Sequence, residues 1–158
     1  MSHPRLLSEV IWLAIAALIA VAAVAAPTLS VGPHVFLVAN LAVVFGFVFV
    51  ARLLFFHAES PLLGPLVAKG VAVVAVVPAA LFTILAINDV QTFVDANGFA
   101  ALFAVLATDD VVTWGRYVRN EFLFFGASLL LSLVALPPVL VVALWRQVKA
   151  RGHQTHKA

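Results

Sequence analysis

Residues 122–145, FLFFGASLLLSLVALPPVLVVALW, form an apolar run, interrupted by Pro137 and Pro138, that decides the fold class of this chain. The run has no charged side chain, and as a helix rising 1.5 Å per residue it would extend over about 36 Å. The hydrocarbon core of a bilayer is about 30 Å thick. The residues are continuously apolar and do not alternate with polar ones, which excludes a strand of a transmembrane barrel. We therefore predict a transmembrane helix.

Three further apolar runs precede this one, and each is long enough to cross a bilayer. They are residues 10–26, 35–56 and 66–87. The composition agrees, since 65% of the residues are hydrophobic and 10% are charged, against about 25% charged in soluble domains. Residues 1–158 are therefore predicted to be a single membrane domain, an all-α integral membrane protein built as a four-transmembrane-helix bundle.

Residues 88–121 form the longest stretch between predicted spans. Within them, the apolar stretch from Phe99 to Ala107 would be about 13 Å long as a helix, which is too short to span. We interpret it as an extra interfacial or re-entrant helix in the outer loop. Asp109 and Asp110 follow, and negative charge favours a helix N-terminus. The fourth helix is therefore predicted to begin near Asp110, outside the membrane.

The distribution of basic residues predicts the orientation of the bundle. Seven of the nine Lys and Arg residues fall on one side if the N-terminus is cytoplasmic, and the two exceptions are Arg116 and Arg119. Trp12 and Trp145 would then mark the inner interface. We expect a protein of the plasma (inner) membrane with cytoplasmic N- and C-termini, residues 146–158 being a cytoplasmic tail.

Three polar side chains lie within the predicted spans at one depth, about 6–9 Å below their outer ends. These residues, the predicted polar layer, are Asn40, Thr83 and Ser128. The simpler interpretation is hydrogen bonding between packed helices. The alternative is the polar wall of a small cavity open to the outer side.

A second group of polar residues, the predicted docking cluster, precedes the fourth span. Its members are Asp110, Arg116, Tyr117, Arg119 and Glu121. Asp110, Tyr117 and Glu121 recur near one helical face, with the two arginines beside them. A solvated charged helix explains this pattern, and docking of a partner or an anionic headgroup is the alternative.

The sequence has few candidates for catalysis or for cofactor binding. There is no cysteine, and therefore no thiolate ligand or haem-attachment motif. His34 and His57 flank the second span about 35 Å apart, so they cannot share one haem. Arg52 and Lys69 lie near span ends, where we interpret them as interfacial anchors. We predict no catalytic residue, no cofactor, no metal and no nucleic-acid partner.

Three functional hypotheses follow from these patterns. The first is a structural or accessory subunit without catalysis, whose partners are the lipid bilayer and other membrane subunits or further copies of itself. The second is a small-solute or ion permease or channel, with a path between protomers along the polar layer. The third is a lipid-modifying enzyme using Asp109, Asp110 or Glu121.

Overall fold

The computed structural model describes residues 3–56, 60–103 and 109–155. In these ranges the protein consists of four long helices and two 3-10 turns. The helices are α1 (His3–Val31), α2 (Leu37–Phe56), α3 (Leu66–Asn97) and α4 (Asp109–Thr155), and the turns are Pro61–Leu63 and Phe99–Leu102. All four helices are long and apolar enough to cross a membrane, which confirms the predicted all-helical chain with four candidate transmembrane helices.

Successive helices run in opposite directions, which gives the bundle two ends. We call the end with the start of α1 and the end of α4 the terminal end, and the other the distal end. At the terminal end Arg52, near the end of α2, contacts Glu9, near the start of α1. At the distal end Asn40, in the first turn of α2, contacts Glu121 of α4.

Three of the four helices, α1, α3 and α4, extend beyond the predicted spans because hydropathy locates apolar runs and not helix ends. The third helix continues past Ile87 to Asn97, and the first continues to Val31. Each then stops at a glycine with positive φ, a conformation that favours glycine. Gly32 has φ 101° and Gly98 has φ 81°.

The predicted element in the outer loop differs from expectation. In place of a nine-residue helix, the described part of that stretch is a 3-10 turn, Phe99–Leu102, followed by extended Phe103. Residues 104–108 lie outside the described residues. The predicted start of the fourth helix near Asp110 agrees with the observed start at Asp109.

Residues 99–103 form a distal cap that closes over the end of the bundle. Leu102 and Phe103 are buried, and the Val35 N–H donates to the Leu102 carbonyl at 3.0 Å. On the other side, the cap lies so close to α4 that a Cβ on Gly115 would be 2.5 Å from the Phe99 carbonyl oxygen. The described part of the connection between α3 and α4 is therefore packed against protein.

The fourth helix organises the core, since it packs against the other three helices and against the turn of the distal cap. Its middle contributes to the largest buried apolar cluster, made up of Val43, Ala86, Val90, Phe122, Leu129 and Leu133. The first helix packs mainly on α2, with Ala16 and Ala20 buried. Their spacing of four residues places two small side chains on one face and permits close approach.

Candidate functional site

The distal half of the bundle holds a buried polar pair that joins the predicted polar layer to the predicted docking cluster. The Asn40 carboxamide donates from Nδ2 to Glu121 Oε2 at 3.1 Å. Asn40 is fully buried and Glu121 is 9% exposed. Glu121 thus turns into the bundle, away from the solvated helix face that was one reading of the cluster. Asn40 Oδ1 and Glu121 Oε1 have no hydrogen-bond partner among the described residues.

The hydrogen bonds shown for the other two members of the polar layer stay within their own helices. Thr83 is fully buried, and its hydroxyl donates to the Ala79 carbonyl one turn earlier at 2.8 Å. The Ser128 carbonyl accepts a bond of 2.8 Å from the Ser132 hydroxyl. Within the described ranges, no hydrogen bond joins the side chains of Asn40, Thr83 and Ser128. Among the contacts shown for the polar layer, the one that joins two helices is the hydrogen bond from Asn40 to Glu121.

The remaining members of the docking cluster point in different directions. Asp110 and Arg116 are exposed, and the Arg116 guanidinium lies over the Phe99 ring at 5.7 Å. The Tyr117 hydroxyl reaches the Ala23 carbonyl of α1 at 3.5 Å. Arg119 is half-buried, and its Nε has no partner in the described part of the chain. Asp110 and Glu121 are separated by about 17 Å along α4. They are therefore too far apart to act as a carboxylate pair in catalysis.

His34, in the connection between α1 and α2, lies under the distal cap. It is 3% exposed, its ring packs edge-on against Phe103 with centroids 6.2 Å apart, and neither ring nitrogen has a described partner. Burial removes water from the imidazolium and lowers the pKa of His34 from 6.5 to about 4. The side chain is therefore a neutral component of the distal core at physiological pH.

This burial predicts a pH dependence of stability. The unfolded chain binds a proton at His34 below pH 6.5 and the folded chain only below about 4, so acid favours unfolding between these values. As the pH is lowered through this window, we expect the free energy of unfolding to fall by at most about 1.4 kcal/mol per pH unit because of His34. Below the window the contribution of His34 should no longer change. Thermal unfolding in detergent should show a shallower dependence in His34→Leu. Identical pH profiles for the two proteins would contradict the prediction.

The terminal end contains a buried ion pair. Arg52 Nη2 donates to Glu9 Oε1 at 2.9 Å, and the same oxygen accepts the Ser60 hydroxyl at 2.7 Å. The Trp12 ring lies 6.0 Å from the Arg52 guanidinium carbon. These contacts connect α1, α2 and the segment before α3. Residues 57–59, which lie next to this group in sequence, are outside the described residues.

Lys69 belongs to a second contact at the terminal end. Its ammonium donates to Gln147 Oε1 at 2.6 Å, and Gln147 Nε2 donates to the Gly64 carbonyl at 3.4 Å. Lys69 is 9% exposed, so it is more enclosed than the interfacial anchor predicted from its position. The contact connects the start of α3 to the end of α4.

Sequence reasoning missed the partners in these contacts, namely Glu9, Ser60 and Gln147. A signal existed for Glu9 and Arg52. They have opposite charges and lie near the terminal ends of consecutive antiparallel spans, which places them at similar depth. Glu121 was assigned to a solvated face because the start of α4 was expected to stand free of the bundle.

The described residues contain no group of three or more His, Cys, Asp or Glu side chains that could hold a metal ion. No family model, curated protein or solved structure matches the chain. Functional inference therefore depends on the chain's own geometry.

Proposed function

We propose that the protein is a structural or accessory subunit of a complex in the plasma (inner) membrane, with both termini cytoplasmic and no catalysis of its own. In this proposal α3 binds an apolar transmembrane helix of a partner membrane protein. The orientation is supported by the basic residues, seven of nine of which would lie on the cytoplasmic side.

The single observation that carries the proposal is the uncovered face of α3. Val67, Val71, Val74, Leu81 and Leu85 are between 56% and 75% exposed. With Pro78 they alternate four- and three-residue spacings, so they form a straight stripe along the helix. From first to last the stripe is about 27 Å long, close to the thickness of a hydrocarbon core.

The shape of this face fits a helix as its occupant. The first four residues of the stripe, together with their neighbours on α3 and Leu144 of α4, line an open groove of about 720 Å³. All its lining residues are apolar, and Gly70 and Ala75 leave it shallow. Small residues at a membrane-embedded face allow a second backbone to approach closely, which is where helix pairs gain van der Waals contact.

The buried polar groups support a role in holding the bundle together. The contacts of Glu9 with Arg52, Asn40 with Glu121 and Lys69 with Gln147 each join two different helices. Each of these contacts includes a charged side chain, and hydrogen bonds to charged groups contribute about 1.5–3 kcal/mol.

A groove variant with a matched control tests the proposal. Val74→Trp fills the groove, and because overpacking costs about 1–3 kcal/mol we expect about tenfold less partner recovered on purification in mild detergent. Leu18→Trp alters a residue of α1 that is 69% exposed and outside the groove, and it should leave recovery unchanged. Native mass spectrometry identifies what is recovered. A wild-type chain that is only monomeric, with no co-purifying protein, would refute the proposal, and a dimer would identify the partner as a second copy.

The alternative function is a small-solute or ion permease or channel. One observation favours it, namely the two unpartnered buried oxygens of Asn40 and Glu121, which are of the kind that bind hard cations. Because Asn40 and Thr83 are fully buried within one chain, a path along them would lie inside the bundle and not between protomers. Cation flux in proteoliposomes that is abolished by Asn40→Leu would favour this alternative.

A further inference from the structure

A second cavity, at the terminal end of the bundle, differs from the α3 groove in having charge. It has a volume of about 720 Å³ and lies between the segment around the Pro61–Leu63 turn and residues 138–146 of α4. One wall is apolar and consists of Val139, Val142 and Ala143. Lys69 and Arg146 also line it, and no Asp or Glu is among its lining residues that the structure describes.

Lys69 has fewer polar partners than a buried ammonium group normally has. The side chain is 9% exposed, and the partner that the structure shows for its ammonium is the neutral carboxamide of Gln147, 2.6 Å away. That bond uses one of three N–H donors. Ammonium groups removed from water are normally paired with an anion, since desolvation of an unpaired charge is costly. The cavity therefore presents a positive charge that a neutral amide only partly satisfies.

The carboxylate that contacts the lining residue Ser60 is already matched by another cation. Ser60 lines the cavity, and its hydroxyl donates to Glu9 Oε1. The same oxygen accepts a bond of 2.9 Å from Arg52, so the charge of Glu9 is balanced within that pair. Among the described residues that line the cavity, Lys69 and Arg146 therefore carry positive charge that no lining carboxylate balances.

The cavity lies at the depth where lipid headgroups meet acyl chains. Trp145, next to Arg146, is 64% exposed and lies under the Lys149 ammonium at 5.3 Å, an arrangement typical of the membrane interface. From Arg146 back to Pro138 the lining follows α4 for about 12 Å towards the centre of the bundle. The cavity therefore has its two cations at the interface and an apolar wall that leads from them towards the centre of the bundle.

We propose that this cavity binds one anionic phospholipid, with its phosphate between Lys69 and Arg146 and one acyl chain along Val139 and Val142. Charge complementarity selects a headgroup with net negative charge, and the apolar wall selects a lipid over a soluble phosphate. Basic pockets between transmembrane helices are suited to such headgroups. The site is independent of the α3 groove, because the residues that line the two do not overlap.

Lipid titration followed by native mass spectrometry tests the site. The purified chain is mixed with phosphatidylglycerol or with phosphatidylcholine of the same acyl chains. We expect one phosphatidylglycerol to bind preferentially, and Lys69→Gln to weaken it about five- to tenfold, as does Arg146→Gln. Lys149→Gln is the matched control, because it removes a basic residue of the same end that does not line the cavity. Lys69→Arg should retain binding, which separates loss of charge from loss of folding.

Three results would overturn the proposal. Equal binding of the two lipids would show that the net negative charge of the headgroup is not selected. Equal weakening by Lys69→Gln and Lys149→Gln would indicate a general basic surface. Displacement of phosphatidylglycerol by glycerol phosphate at equal concentration would show that the acyl chain contributes nothing and that the ligand is a soluble phosphate.

Discussion

Replacing Arg52 with methionine should lower the free energy of unfolding by about 3–5 kcal/mol, because the substitution leaves a buried carboxylate without its cation. The Glu9 and Arg52 side chains are no more than 6% exposed, so water cannot readily replace the missing partner. The Ser60 hydroxyl alone would remain on Glu9 Oε1. Equilibrium unfolding in mixed micelles, followed by tryptophan fluorescence, measures the loss.

The double variant Glu9→Met with Arg52→Met distinguishes the cost of leaving one buried charge unpaired from the net contribution of the ion pair to stability. Removing both charges is expected to bring stability back to within about 1–2 kcal/mol of the wild type, since an apolar pair of similar size often replaces a buried ion pair without loss. Lys149→Met serves as a control at an exposed basic residue of the same end. A double variant as unstable as Arg52→Met alone would show that the pair contributes packing that methionine cannot supply.

Replacing Gly115 with alanine should destabilise the distal end by about 2–3 kcal/mol, because small-to-large changes in a tight contact force the backbone to move. The new Cβ would lie 2.5 Å from the Phe99 carbonyl oxygen and 2.9 Å from its carbon, with main-chain atoms on both sides of the contact. The distal cap must therefore move away from α4. The Val35 amide, which donates to Leu102 in the cap, should exchange its hydrogen faster as a result.

Gly70→Ala is the matched control for this variant. A Cβ at Gly70 meets no atom within 4 Å, and alanine favours a helix interior over glycine by about 0.5–1 kcal/mol. Thermal unfolding in detergent should therefore show equal or higher stability for Gly70→Ala. If Gly115→Ala were equally stable and kept slow exchange at Val35, the close approach of the cap to α4 would be refuted.

The four helices were predictable because each contains an apolar run longer than a soluble protein can bury. The start of α4 was also predictable, since Asp109 and Asp110 place negative charge where a helix begins. The extension of α3 to Asn97 was not, because residues 88–97 include polar side chains that lower hydropathy without breaking a helix. The turn at Phe99–Leu102 was missed for a different reason, since a short apolar stretch fits a helix at an interface as well as a turn packed on protein.

The polar contacts were harder to predict than the helices. Asn40 was expected to hydrogen-bond between helices, but the sequence does not state which helices are neighbours. Its partner Glu121 was placed on a solvated surface because the start of α4 was not expected to pack against α2. Lys69 was expected to reach the interface, and its contact with Gln147 depends on α3 and α4 being adjacent at the terminal end. Pairing between helices is a property of the packed bundle that hydropathy does not encode.

The position of α4 as the packing centre bears on the order in which the protein assembles during synthesis. Chains emerge from the ribosome N-terminus first, so α4, the helix that touches the other three, is made after all of them. The contact of Glu9 with Arg52 can form before α4 exists, whereas Asn40 and Lys69 must wait for Glu121 and Gln147. The first two helices can thus associate early through their ion pair, while α3 is held in place only when α4 is present.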